Sequence, residues 1–224
     1  MIQARKIIKK FKSGNSELTV LKGVDFDVDD GEFISIIGRS GSGKSTLMYQ
    51  LSLLDRPTSG TIEIGGKNTD ILTDRERTIL RLFQLGYVFQ DYALIPELNA
   101  IENVMIPLLE QGINKIDARK ISARVLERVE LKEKFNNLPN QLSGGEQQRV
   151  SIARAMGHNP KILFADEPTA NLDNDTSISI LKTFKELHAD GQTIIMVTHE
   201  PEYVQYTDRV ITLFDGNIVK NEKN

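Results

Sequence analysis

A glycine-rich loop between an apolar run and a helix-forming segment is the feature that most constrains this chain. Phe33–Ile37 is mostly apolar, as expected of a buried strand, and residues 45–54 have the composition of a helix. The loop fits the pattern G-x-x-x-x-G-K-[S/T], with Gly38, Arg39, Ser40, Gly41, Ser42, Gly43, Lys44 and Ser45 in order. Its glycines let backbone N–H groups close around phosphate oxygens, and the helix points its positive end at the anion. An α/β sheet with a phosphate site beyond a strand end is therefore predicted.

Two side chains of the loop are suited to bind phosphate and a metal ion. Lys44 is predicted to place its charge on the β- and γ-phosphates of a nucleotide, and the Ser45 hydroxyl to coordinate Mg²⁺. Thr46 follows in the predicted helix and is included among the nucleotide contacts. The loop therefore predicts a nucleotide with at least three phosphates, and Mg²⁺, as its ligands.

Composition narrows the classes of protein. The chain has 224 residues, 39% of them hydrophobic, which suits one globular domain, and a net charge of −3, which argues against a nucleic-acid partner. It has no cysteine, so disulfides, zinc–thiolate sites and cysteine nucleophiles are excluded. No apolar run approaches the roughly 18 residues of a membrane helix, and residues 1–10 lack a signal core. A cytoplasmic protein is predicted, with any membrane role supplied by a partner.

The hydrophobic pattern divides the chain into a core and an insertion. Further strands are predicted at residues 24–28, 61–64, 87–89, 161–165 and 193–197, with a terminal hairpin at 210–219. The stretch 91–158 is mostly helical and richer in charge, and is predicted to be an inserted lobe. Residues 1–90 and 159–224 would form the core around it. An apolar stripe at helical spacing is predicted to be core packing: Ile178, Leu181, Phe184 and Leu187.

Two acids follow the apolar run that begins at residue 161. Asp166 is placed to hold Mg²⁺ at the strand end, directly or through water. Glu167 would then stand where an attacking water is activated, as a general base. The alternative is that both acids are simply solvated in a loop.

Residues 142–149, LSGGEQQR, place two glycines before a predicted helix. This is a second helix N-terminus suited to an anion. Ser143 and Glu146 also have the spacing of a capping box, which would by itself explain the pattern. Both interpretations can hold, because capping arranges the N–H groups that would bind phosphate.

At these residues the chain resembles the ATP-binding cassette (ABC) family. Residues 142–149 match the family's signature sequence. Five other motifs occur in the family's order: the phosphate loop, Gln90 after residues 87–89, the acidic strand, residues 171–173, and Thr198 with His199. The resemblance covers essentially the whole chain. It implies a P-loop NTPase domain with a mostly parallel core, an antiparallel β subdomain and the inserted helical lobe.

The resemblance also implies roles for individual residues. Two copies would meet head to tail around two ATP molecules, each phosphate loop facing the signature of the other copy. Gln90 would touch Mg²⁺ and the attacking water and couple them to the lobe, and His199 would contact the γ-phosphate as the switch histidine. Asp173 would communicate across the dimer. The signature contacts would be Ser143, Gly144, Gly145 and Gln147.

One departure from the family concerns the adenine site. Many relatives stack adenine on a tyrosine, whereas this chain offers Phe11. Phenylalanine keeps the stacking face and loses only the hydroxyl. The alternative is that Phe11 is an aromatic packed at a strand end.

Residues 53–60 and 98–107 resemble the lipoprotein-release and macrolide-export subfamily. This implies a separate transmembrane permease docking near Gln90 and the lobe, with the chain peripheral on the inner face of the membrane. The cargo, chosen by the permease, stays open. Two other functions also stay open: an ATP-driven mechanical regulator of a cell-envelope complex, and a soluble ATPase of assembly type.

Overall fold

The computed structural model describes residues 1–14 and 16–224, which form ten strands and six α-helices. The strands are β1 (Ile2–Ser13), β2 (Ser16–Val28), β3 (Phe33–Ile37), β4 (Ser59–Ile64), β5 (Lys67–Asn68), β6 (Leu85–Val88), β7 (Ile162–Asp166), β8 (Thr193–Val197), β9 (Arg209–Phe214) and β10 (Asn217–Lys223). The α-helices are α1 (Lys44–Leu51), α2 (Asp74–Gln84), α3 (Ala100–Glu110), α4 (Lys115–Arg128), α5 (Gly144–Met156) and α6 (Asn174–Ala189). Short 3₁₀ turns lie at Lys132–Lys134, Pro139–Gln141 and Pro201–Tyr206.

Six strands form the main sheet in the order β10-β9-β3-β8-β7-β6. The pairs from β9 to β6 are parallel, and β10 joins β9 as an antiparallel hairpin. Every residue of β7 and β8 is buried, because both faces of the sheet are covered. The predicted parallel core and terminal hairpin are confirmed, with β3 inside the sheet and the phosphate loop at its carboxyl end.

A smaller antiparallel sheet has the order β2-β1-β4-β5. Along β2, Val24, Phe26 and Val28 are buried while the residues between them are exposed, which is the predicted alternation. These side chains belong to one apolar cluster with Ile36 of β3 and Leu47 of α1. The small sheet, α1 and one face of the main sheet therefore share a core.

Helices α3, α4 and α5 lie between β6 and β7 in the chain. Val104, Leu126 and Val150, one from each helix, share a second core with Leu163 of β7 and Phe184 of α6. The three helices thus pack on one another and, through this core, on the other face of the main sheet. Among residues 1–14 and 16–224, no helix combines the length and the apolar character needed to cross a membrane.

Some predicted boundaries are wrong. Helix α1 ends at Leu51 rather than at residue 54, because Leu53 adopts a left-handed backbone with φ of 62°. Strand β6 ends at Val88, whereas the prediction ran from residue 87 to 89. The two signature glycines do not precede α5 but form its first turn, after the Ser143 cap.

Helix α2 was not predicted. It begins with a capping box in which Thr73 and Glu76 satisfy each other's backbone N–H groups. The three-residue spacing of Thr73 and Glu76 is the sequence signal from which the start of α2 could have been predicted. In α6 the predicted packing stripe is confirmed for Leu181, Phe184 and Leu187, but its first buried isoleucine is Ile180 and not Ile178.

Candidate nucleotide-binding site

The phosphate loop packs against β9 and β2 at positions that favour glycine. A Cβ on Gly38 would lie 2.2 Å from the carbonyl oxygen of Leu213. One on Gly43 would lie 3.1 Å from Cδ2 of Leu21, and Gly43 has a left-handed φ of 102° immediately before α1. Only a residue without a side chain lets the loop turn this closely into the helix. The first N–H groups of α1 therefore face the loop.

Lys44 is buried beneath the loop. Its ammonium donates to the carbonyls of Gly38 at 3.0 Å and Arg39 at 3.3 Å. The same nitrogen lies 4.0 Å from Oε1 of Glu167. A phosphate group entering the loop would exchange two neutral acceptors for a charged one, which forms a stronger hydrogen bond.

Asp166, the last residue of β7, accepts two hydroxyl hydrogen bonds. Ser45 Oγ donates to Oδ1 and the Tyr87 hydroxyl donates to Oδ2, each at 3.2 Å. Burial raises the pKa of Asp166, against the lowering effect of these two donors. A carboxylate and a hydroxyl in contact offer only oxygen ligands, which Mg²⁺ prefers. The pair therefore fits a magnesium ion.

Glu167 and His199 come together from the ends of β7 and β8. The Glu167 backbone is left-handed, with φ of 45°, and its N–H donates to the Val197 carbonyl at 3.0 Å. Strained backbone of this kind is common at functional sites. Oε2 of Glu167 lies 3.2 Å from Nδ1 of His199, and Nε2 of His199 lies 3.1 Å from Oε1 of Glu200. His199 is thus held between two carboxylates.

A cavity of about 540 Å³ opens in front of these groups. It lies beyond the carboxyl ends of β3 and β8, where the sequence predicts a ligand. Its lining is Ile37, Gly38, Arg39, Ser40, Lys44, Glu167, His199, Pro201 and Thr212. The fold therefore brings the predicted base and the predicted switch histidine to the phosphate loop.

The signature segment does not line this cavity. Within residues 1–14 and 16–224, no hydrogen bond or ion pair joins residues 142–149 to the phosphate loop. Ser143 Oγ accepts from the Glu146 N–H at 3.3 Å, and Ser143 N–H donates to Oε2 of Glu146 at 2.8 Å, so the predicted capping box is confirmed. Gln147 donates its amide to the Leu142 carbonyl at 3.1 Å. Ser143 itself is exposed, and Gly144 and Gly145 are partly so.

Asp173 lies beside this segment as the cap of α6. Its carboxylate accepts from Thr176 N–H at 3.0 Å and from Thr176 Oγ1 at 2.7 Å, which lowers the pKa of Asp173. A Cβ on Gly145 would lie 2.4 Å from Cγ2 of the same threonine. The first turns of α5 and α6 are therefore in contact, and Asp173 and the signature share one surface.

Gln90 begins a loop that is tied to helix α5 and to the turn before α6. After Asp91, Tyr92 and Ala93 both have a left-handed backbone, with φ of 62° and 49°. Arg154 of α5 donates to both of their carbonyls, the Tyr92 bond being 2.9 Å long. Asn171 Nδ2 donates to the Gln90 carbonyl at 3.1 Å. Sequence reasoning missed Arg154, because its partners are backbone carbonyls that leave no pattern of side chains.

Phe11 lies on β1 with 45% of its surface exposed, opposite Leu18 of β2. Lys9 Nζ lies 5.1 Å from the centre of its ring, and Asp55 holds that ammonium at 2.7 Å. One face of the ring thus meets a fixed cation. The exposed part of the Phe11 ring is available to stack on a ligand, which an aromatic ring packed in the core would not be.

A phosphate loop after an inner parallel strand, with an acid pair at the end of another strand, defines a P-loop nucleoside triphosphatase. Residues 21–170 match the model of the ABC transporter family, and the chain belongs to that family. It is an ATP-binding and ATP-hydrolysing cassette. The family resemblance and the predicted fold class are confirmed.

Three relatives define the comparison. The chain is 47% identical over 200 residues to the lipoprotein-releasing system ATP-binding protein LolD of Aquifex aeolicus, with 89% of each chain covered. It is 43% identical over its whole length to the macrolide export ATP-binding/permease protein MacB of Agrobacterium fabrum, of which it spans 35%. Its structure superposes with a TM-score of 0.93 and 41% identity on a dimeric post-hydrolysis state of the ATP-binding cassette MJ0796 bound to ADP and Pi, covering 100% of this chain and 98% of that one.

Proposed function

We propose that two copies of this chain close head to tail around two ATP molecules and that hydrolysis drives a separate export permease. The dimeric MJ0796 cassette with ADP and Pi supports the first part. The similarity to LolD, of a lipoprotein-releasing system, and to MacB, of macrolide export, supports the second. The permease would select the cargo.

In the proposed site the phosphate loop holds the triphosphate. Lys44 binds the β- and γ-phosphates, and backbone N–H groups surround the oxygens. Ser45 and Asp166 would hold Mg²⁺, whose charge would offset that of the phosphates, and Gln90 would contribute a further oxygen. The remaining contacts are Gly38, Arg39, Ser40, Gly41, Ser42, Gly43 and Thr46.

Glu167 is the proposed general base, and it takes a proton from the water that attacks the γ-phosphate. His199 contacts the γ-phosphate from the end of β8. The observation that carries the proposal is the convergence of Lys44, Glu167 and His199 on one cavity.

The other half of each site comes from the second copy in this proposal. Ser143, Gly144, Gly145 and Gln147 bind the nucleotide held by the facing phosphate loop. The absence of these residues from the lining of their own cavity supports this assignment. Asp173 shares their surface and would lie at the joint between the copies.

Phe11 is proposed to stack on adenine with its exposed ring. Residues 91–158 are proposed to move as a lobe against a core of residues 1–90 and 159–224. The permease would dock near Gln90, since Arg154 and Asn171 tie that loop to both parts. The chain would then lie on the cytoplasmic face of the membrane, held there by the permease.

The test is Glu167→Gln. The amide keeps the shape of the side chain but cannot take a proton, so hydrolysis is expected to fall to background while ATP binding persists. Because hydrolysis opens the closed pair, the variant should elute as a dimer with ATP in size-exclusion chromatography, and the wild type mainly as a monomer.

Glu200→Gln is the matched control, because it removes the other carboxylate beside His199. It is expected to keep hydrolysing. Near-wild-type hydrolysis by Glu167→Gln would exclude Glu167 as the base. For the export assignment, the complex with its permease should hydrolyse ATP faster when cargo is added, and a rate indifferent to every cargo would favour a mechanical regulator.

A further inference from the structure

Tyr87 connects an aromatic cluster to the acidic end of β7. Its hydroxyl donates to Oδ2 of Asp166 at 3.2 Å. Its ring lies 4.4 Å from the Phe89 ring and 6.2 Å from that of Phe164, with which it stacks at 22°. The phenol is therefore fixed in place and donates in one direction.

We propose that Tyr87 is a positioning residue that orients the Asp166 carboxylate toward Mg²⁺, an inference that rests on the metal-binding role proposed for Asp166. The two oxygens of the carboxylate have different partners. Oδ1 faces Ser45, the other proposed ligand, and Oδ2 faces Tyr87. Ser45 and Oδ1 of Asp166 would together hold the ion, and the hydrogen bond from Tyr87 would keep Oδ2 in place.

Without the Tyr87 donor, Oδ2 would lose its hydrogen bond. The carboxylate of Asp166 could then rotate about its terminal torsion, which is soft. Partners of this kind, one step beyond a metal ligand, typically change metal affinity by about 10–100-fold when they are removed.

Tyr49 offers a control within the same cluster. Its ring lies 6.2 Å from that of Tyr87. In the part of the chain that the structure describes, its hydroxyl has no hydrogen-bond partner. Tyr49→Phe and Tyr87→Phe therefore remove the same atom from neighbouring rings, and only the second removes a bond to Asp166.

The experiment compares ATP binding with and without metal in the Glu167→Gln background, where no hydrolysis interferes. The measured quantity is the ratio of the ATP dissociation constant in EDTA to that in Mg²⁺. Tyr87→Phe is expected to lower this ratio by about tenfold and to leave the EDTA constant unchanged, with a lower Tm because the buried Oδ2 loses its donor. Tyr49→Phe is expected to leave all three unchanged.

Asp166→Asn distinguishes a failure of the metal-binding role of Asp166 from a failure of the positioning role of Tyr87. If it lowers the ratio and Tyr87→Phe does not, Asp166 binds the metal but Tyr87 does not position it, and the inference fails alone. If Asp166→Asn keeps the wild-type ratio, the proposed metal role and the inference both fail. A loss of affinity for Tyr87→Phe that is equal in EDTA and in Mg²⁺ would also overturn the inference, because the hydroxyl would then shape the pocket and not the metal site.

Discussion

The phosphate loop and the signature segment are both glycine-rich helix starts, but they differ in what they face. The phosphate loop encloses a lysine that is 6% exposed, and it shares a cavity with Glu167 and His199. Ser143 is exposed at the start of α5 and lies outside that cavity. The first helix start has Lys44, Glu167 and His199 of its own chain around one cavity, whereas the second has its cap, the Lys134–Glu146 ion pair and the nearby Asp173, and lines no such cavity. This contrast is expected if each completed site takes one helix start from each copy.

The largest expected effect comes from Ser143→Arg. A bulky cation at this position should block closure of the pair and leave each chain's own phosphate loop intact. Hydrolysis is expected to fall to background, with ATP affinity unchanged in a nucleotide titration. A fall in affinity as large as the fall in rate would mean that Ser143 serves the nucleotide of its own chain.

A mixed dimer sharpens this test. With Lys44→Ala in one copy and Ser143→Arg in the other, both defects fall on one composite site, provided that closure survives. About one trapped ATP per dimer is then expected, whereas placing both changes in the same copy should damage both sites. Equal behaviour of the two arrangements would contradict the head-to-tail geometry.

Lys44→Ala should weaken ATP binding, in contrast to Ser143→Arg. The loop loses a charge-assisted hydrogen bond to phosphate, which is worth about 1.5–3 kcal/mol, or roughly 10–100-fold in affinity. Circular dichroism should show an intact fold. Lys22→Ala is a suitable control, because that lysine pairs with Asp215 on the surface. Unchanged affinity for Lys44→Ala would contradict the assignment of the phosphate loop.

Gly145→Ala should act on stability. The new Cβ would lie 2.4 Å from Cγ2 of Thr176, and overpacking of this kind costs about 1–3 kcal/mol. Thr176→Ser removes that methyl group and keeps the capping hydroxyl, so the double variant should regain most of the lost Tm. If Thr176→Ser restores nothing, contact between α5 and α6 is not the cause.

The smallest effect is expected from His158, where the end of α5 meets β6. Its Nε2 donates to the Leu85 carbonyl at 3.1 Å, and burial lowers its pKa from the ordinary 6.5. The unfolded chain therefore binds this proton more readily, so stability is lost as pH falls through about 6.5 and levels off below the lowered pKa. His158→Gln should reduce the fall in Tm between neutral and mildly acidic pH. Parallel curves for the two proteins would contradict this assignment.

The sequence predicts best where a local pattern decides the structure. Phe33–Ile37 and Thr193–Val197 are found with the predicted bounds, because each is a buried run that ends at a loop signal. The Ser143 capping box is equally local. The missed end of α1 depends on one left-handed residue, Leu53, and a left-handed leucine has no signal in composition.

The residues of the candidate site also differ in whether a local pattern identifies them. Lys44, Glu167 and His199 belong to motifs, so the sequence could name them before their convergence was visible, although their roles remain predictions. The roles of Arg154 and Tyr87 could not be identified from sequence motifs. Their bonds join segments far apart in the chain, and the partners of Arg154 are backbone carbonyls that any residue could supply.

Neighbouring strands of the main sheet are far apart in the chain, and this matters while the polypeptide is being synthesised. Strand β3 and its loop are synthesised before several of the segments that surround them, among them β9 with Leu213. Glu167 and His199 also come from late strands, so a nascent chain that stops before β7 has the loop without the groups that complete its pocket. The phosphate loop therefore reaches its folded surroundings only after β7, β8 and β9 have been synthesised. A nucleotide that binds the folded domain and not its partly folded precursors would stabilise the folded domain by mass action.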